Sequence, residues 1–181
     1  MRSKLESILN GNLWTVRCCK RQRALKKSAT EGLGRNPTDR GRSGSKIHLH
    51  VDGQGTPLGV TVTGANVHDS RLIGATLENS CEMGACFLGE REAHLCLDKA
   101  YDYERVYIEV YVNGFTEHIR SRGEEKLSRC SQYTPHRWVV ERTFAWLRGF
   151  RSLRTRYCCY LRNFISLLYL ACACIILRKL L

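Results

Sequence analysis

Ala93-His-Leu-Cys-Leu-Asp98 is a short, mostly apolar run that ends in an acid. Too brief for a helix that buries a stripe, it reads as a strand. Lys99-Ala-Tyr101 leads straight out of it, and Asp102 to Asn113 has helical character and stops at Gly114. Gly114-Phe-Thr-Glu-His-Ile-Arg120 then reads as a second strand. Two strands joined through one helix run parallel, by a right-handed crossover. That unit makes the chain α/β, a sheet layered with helices. An acid at the carboxyl end of such a strand stands where α/β sheets place ligands and reacting groups, although a helix N-cap would also account for Asp98.

Upstream, Lys46-Ile-His-Leu-His-Val-Asp52 alternates with period two and sets Ile47, Leu49 and Val51 on one face. Asp52-Gly-Gln-Gly55 supplies a turn, and Leu58-Gly-Val-Thr-Val-Thr63 returns as the other arm of a hairpin. His48 and His50 share the opposite face and, lacking metal-ligand neighbours, read as surface residues; Asp52 reads as a turn residue. His68-Asp69-Ser70 opens a helical stretch that Asp69 or Ser70 could cap. Residues 17–46 read as a loop or basic arm and 121–135 as a polar loop. His136–Phe150 and Tyr160–Lys179 read as the closing helices, and no internal repeat is apparent.

The 181 residues suit one domain, and 43% apolar with 25% charged residues is globular composition. A formal charge of +12 calls for a polyanionic partner, nucleic acid before an anionic membrane surface. The charge is unevenly distributed. Residues 1–46 carry a net +9 and 136–181 a net +8, while 47–101 carry −4. Ten cysteines form no C-x-x-C pair, which argues against structural zinc and for reduced thiols in a cytosol. The start of the chain has no signal-peptide pattern, and the apolar run Phe164–Leu177 is shorter than a bilayer crossing requires. Neither a P-loop nor a dinucleotide fingerprint nor a Ser/His/Asp arrangement is visible, and the strands lack the aromatic pattern of an RNA-binding sheet.

Glu141 is the only acid among the last 46 residues. On a helix, Arg137, Glu141 and Arg148 fall within a stripe of roughly 40°. One reading is an i, i+4 ion pair between Arg137 and Glu141. The other is a metal-binding carboxylate between phosphate-binding arginines.

Five stretches in order, Gly34-Arg-Asn-Pro-Thr-Asp-Arg-Gly41, Gly44-Ser-Lys-Ile-His-Leu49, Thr63-Gly-Ala-Asn-Val-His-Asp-Ser70, Leu97-Asp-Lys-Ala-Tyr-Asp102 and Arg137-Trp-Val-Val-Glu-Arg-Thr-Phe-Ala-Trp-Leu147, resemble transposases of the IS5 group of bacterial insertion sequences. The resemblance implies membership of the DDE superfamily and an RNase H-like core, a mixed sheet with flanking helices. It implies that residues 31–181 are the catalytic-core portion and 1–30 a basic, altered N-terminal segment. Asp98 corresponds to the second catalytic and metal-binding carboxylate and Glu141 to the third, in the pattern Arg137, Glu141, Arg148. Arg137, Arg148, Lys99, Arg40 and Lys46 become the DNA-binding residues. The implied cofactor is Mg²⁺ in a two-metal site, the partners are transposon-end and target DNA with a homodimer and no membrane, and the location is cytoplasmic, at the bacterial nucleoid.

The chain departs from the pattern in two places. Tyr133 stands one position early, with Thr134 where the family has Tyr. No first catalytic Asp is found either: Leu13-Trp-Thr-Val16 resembles the approach of its strand, but Arg17 follows. The first strand is therefore expected to be incomplete, the metal site incomplete, and the chain a truncated or inactive copy. The alternative is a non-catalytic DNA-binding remnant.

Overall fold

In the computed structural model the described residues are 12–21, 31–37, 39–80, 93–119 and 137–181. The polar loop at 121–135, with Tyr133 and Thr134, lies outside them, as does most of 1–30. The elements are β1 (Asn12–Arg21), β2 (Gly34–Arg35), β3 (Ser43–Val51), β4 (Pro57–Gly64), α1 (Ile73–Ser80), β5 (Ala93–Leu97), α2 (Glu104–Val112), β6 (Phe115–Ile119), α3 (Arg137–Gly149), β7 (Thr155–Arg156) and α4 (Leu161–Leu180). Short 3-10 turns at Asp69–Leu72 and Lys99–Tyr101 and a single helical turn at Arg151–Arg154 join them.

One mixed sheet carries the fold, in the order β2-β3-β1-β5-β6, with β4 on β3 and β7 on β1. β3 runs antiparallel to β1 and β4, whereas β5 runs parallel to both β1 and β6. The β5–α2–β6 unit is therefore the parallel unit that the sequence predicts. Ile47, Leu49 and Val51 pair across to Val62, Val60 and Pro57. Their face packs on Val139, Val140, Phe144 and Leu147 of α3 and on Phe164, Leu168, Ala171 and Cys172 of α4. The other face, through Leu95 and Leu97, packs on Ile73 and Leu77 of α1 and Val106 and Val110 of α2. A mixed sheet between two helical layers agrees with the RNase H-like core that the resemblance implies.

Three expectations change. The first strand is not cut short at Val16: it runs ten residues to Arg21 and pairs with β3 from Leu13↔Val51 to Lys20↔Gly44. Eight ladder pairs outweigh a basic composition that by itself suggests an exposed arm. His48 and His50 are not surface residues but fully buried. The face that carries them is covered by α1, and each ring meets a hydroxyl, His48 that of Thr63 and His50 that of Ser80. The cap of the turn after β4 is His68, whose Nδ1 accepts from Ser70 N at 3.4 Å, while Asp69 turns to Lys46.

Cysteine serves as small apolar filler here: Cys172 is a free thiol in the core, and burial pushes it up to about 12. α4 is, at twenty residues, long and apolar enough by length and composition to cross a membrane, longer than the run read from sequence. Its inner stripe, Phe164, Leu168, Ala171, Cys172 and Ile175, is packed into the core.

Candidate functional site

Asp98 is the first residue beyond β5, and its backbone carbonyl accepts from Tyr101 N at 2.9 Å to close the 3-10 turn. Leu97 and Tyr101 are buried on either side of it, so the strand end is anchored while the Asp98 carboxylate is exposed. β5 lies in parallel register with the central strand, Asn12↔Leu95 and Leu13↔Cys96. Continued by two residues, that register sets Thr15, not Arg17, level with Asp98. β1 reads Asn-Leu-Trp-Thr-Val-Arg-Cys-Cys-Lys-Arg and contains no acid.

α3 packs on the same central strand, β1. Val140 and Phe144 are buried, whereas Glu141 between them is exposed. Arg148, seven residues on, is exposed in the last turn of α3. Both acids thus reach solvent from elements packed directly on β1. Arg40 is exposed in the β2–β3 loop. Lys46 is engaged within the protein: its ammonium bonds Asp69 Oδ1 at 2.7 Å and Val67 O at 2.9 Å. Arg137 begins α3 and Lys99 begins the turn after Asp98, so both stand beside the two acids in sequence and along their elements.

The fit to a two-metal centre is incomplete. Among the described residues no three His, Cys, Asp or Glu side chains group closely enough to hold a metal ion. Asp98 and Glu141 offer carboxylate oxygens, the donors that Mg²⁺ prefers, and β1 carries no carboxylate.

Two features are not legible in the motifs. Arg142 lies between Trp138 and Trp146, its guanidinium carbon 4.7 Å and 5.1 Å from the two ring centroids, and its Nη2 donates to Gln54 O at 2.7 Å. Lys179 of α4 donates to the same carbonyl at 2.6 Å and lies 5.2 Å from the Trp146 ring. Beneath them Thr143 Oγ1 donates to Gly55 O at 2.8 Å. The tip of the β3–β4 hairpin is thereby clamped onto the helix that carries Glu141. The i, i+4, i+8 spacing of Trp138, Arg142 and Trp146 is the signal from which this could be read. Asp52 is more than a turn former: it is fully buried, and its Oδ1 accepts from Gln54 N at 2.9 Å and Thr56 N at 2.7 Å. The second feature is Arg156, a fully buried arginine on β7 that no local sequence pattern marks.

Comparison with known proteins gives a family and a sequence relative. The model of the transposase DDE domain family matches residues 15–176. A Burkholderia cepacia protein assigned as the transposase for insertion sequence element IS402 is 41% identical over 128 residues, which is 68% of this chain and 58% of that protein. The chain thus spans somewhat over half the length of that relative. Among solved structures, the Mos1 transposase paired-end complex with left transposon end is 12% identical over 84% of this chain and 55% of that chain, with a TM-score of 0.41. The piggyBac transposase synaptic complex with hairpin DNA is 9% identical over 64% of this chain and 24% of that chain, with a TM-score of 0.38.

Proposed function

We propose, from the premise that this chain belongs to the transposase DDE domain family, that it binds insertion-element DNA and carries a strand-cleavage and transfer site weakened by one missing acid. The observation that supports this reading is that Asp98, just beyond β5, and Glu141, exposed on α3, stand on two elements that both pack against the central strand β1. Asp98 and Glu141 are the catalytic carboxylates that hold divalent metal, Mg²⁺ by the family pattern. Arg137, Arg148, Lys99 and Arg40 hold the phosphates of the DNA. Lys46, tied to Asp69, chiefly supports the β3–β4 region and adds to the field.

A bound metal supplies charge stabilisation at a reacting phosphodiester. The chain's own contribution is positioning: the end of β5 and the helix α3 present the two acids, and the arginines of α3 meet phosphate oxygens with paired donors. The absence of an acid from β1 favours reduced cleavage with DNA binding retained. That leaves a second reading, a non-catalytic DNA-binding protein, which the same charge distribution supports.

Fluorescence anisotropy with a labelled duplex from the element's ends tests the shared part of both readings. Saturable binding that weakens steeply between about 50 mM and 200 mM salt is expected, because neutralised phosphates release counterions. Binding that is absent, or indifferent to salt, overturns both.

A further inference from the structure

Three exposed arginines, Arg35, Arg40 and Arg42, stand at the end of one short hairpin. β2 pairs with the start of β3, Gly34↔Gly44 and Arg35↔Ser43. The chain between them closes on itself: Asn36 N donates to Arg42 O at 2.9 Å, Gly41 N to Asn36 O at 3.0 Å, and Arg42 N to Asp39 O at 3.0 Å. Arg40 holds a φ of 51°, left-handed backbone that a residue with a Cβ adopts at a cost. Gly41 follows at 69°, with open space around it.

The base of this hairpin is pinned from two sides. Arg156, wholly buried, donates from Nη1 to Gly32 O at 3.3 Å and Ser45 Oγ at 2.8 Å. Its Nη2 donates to Glu31 O at 3.1 Å and Cys159 O at 3.3 Å, and its Nε to Cys158 O at 3.2 Å. Ser45 Oγ in turn donates to Gly32 O at 2.5 Å. On the other side Gly34 lies so close to the Asn66 side chain that any Cβ would collide with it.

A buried guanidinium gives up its hydration, and here its donors hold the strand leading into a loop rather than the core itself. The loop they hold concentrates three like charges and keeps an arginine where glycine would be unstrained. Such strain persists only where surrounding structure holds it, and it clusters at ligand clamps. We propose that the β2–β3 hairpin is a preformed clamp for duplex DNA, in which Arg35, Arg40 and Arg42 bind backbone phosphates and Arg156 holds the clamp in place. The clamp rests on the reading that the chain acts on DNA and adds Arg35, Arg42 and Arg156 to the residues that serve it. Duplex is favoured over single strand because residues 34–44 contain no aromatic ring on which a base could stack.

The test is anisotropy of the full chain on duplex and single-stranded DNA of the same sequence across a salt series, with Arg35→Ala, Arg42→Ala and Arg40→Gly. Each variant is expected to weaken duplex binding and to lower the slope of log K against log salt by about 0.9 for each phosphate it no longer neutralises. Arg40→Gly should also raise the urea midpoint, since glycine relaxes the positive φ, so that stability and affinity move in opposite directions. Wild-type binding that all three variants retain with unchanged slope overturns the clamp and leaves the DNA reading standing. Tighter wild-type binding to the single strand overturns the duplex assignment, and no wild-type binding at all overturns the DNA reading beneath it.

Discussion

His50 lies out of solvent between β3 and α1, its Nδ1 2.8 Å from Ser80 Oγ and its ring edge-on to Phe115. Two residues earlier, His48 Nε2 meets Thr63 Oγ1 at 3.0 Å. Burial holds His50 down to about 3 and His48 down to about 4, against 6.5 in the unfolded chain. Folded protein therefore keeps both neutral while unfolded protein takes up protons below 6.5. Their contribution to stability is complete above that pH and lost progressively as pH falls toward the folded values. At pH 5 the loss amounts to about 2 kcal/mol for each histidine. Urea unfolding should show a midpoint that drops between about pH 7 and pH 5, with a smaller drop in His50→Gln. A midpoint that stays constant over that range contradicts the buried, neutral histidines. The alternation 46–52 predicts that both side chains share a face, but not that α1 covers it. Which face of a hairpin is dry depends on helices distant in sequence, and imidazole suits either.

At the scale of elements, the hairpin, the parallel β5–α2–β6 unit and the two closing helices are legible because each carries its own periodicity and turn chemistry. The second half of β1 is not, because Arg17–Arg21 look like a basic arm and only pairing with β3 makes them a strand. The register then sets Thr15 level with Asp98, a relation that no local pattern contains. The clamp of the β3–β4 turn on α3 is likewise a contact across 88 residues. Gly55 has a φ of 81°, and a Cβ there would stand 2.6 Å from Thr143 Oγ1 and 3.4 Å from Val139 O. Gly55→Ala should therefore destabilise the fold by about 2 kcal/mol through strain and a displaced hydrogen bond. Calorimetry checks this, and a melting temperature equal to that of wild type contradicts the clamp. Thr143→Val leaves Gly55 O without the Thr143 donor and should cost about 1–2 kcal/mol, read from the same melting curves.

Across the whole molecule, β1, the β2–β3 loop and α3 are all drawn from the two segments of the sequence, 1–46 and 136–181, that carry its excess of positive charge. The acidic middle supplies β5 and Asp98. Family membership is legible through five ordered motifs. In the proposed function, Asp98 and Glu141 form what remains of the strand-cleaving site. Its most direct test is Mg²⁺-dependent nicking of a plasmid carrying the element's ends, by wild type, Asp98→Ala and Glu141→Ala, with DNA binding measured in parallel. Undiminished binding by all three is expected, with weak nicking by wild type that both substitutions remove; nicking that persists equally in both variants would contradict the assignment.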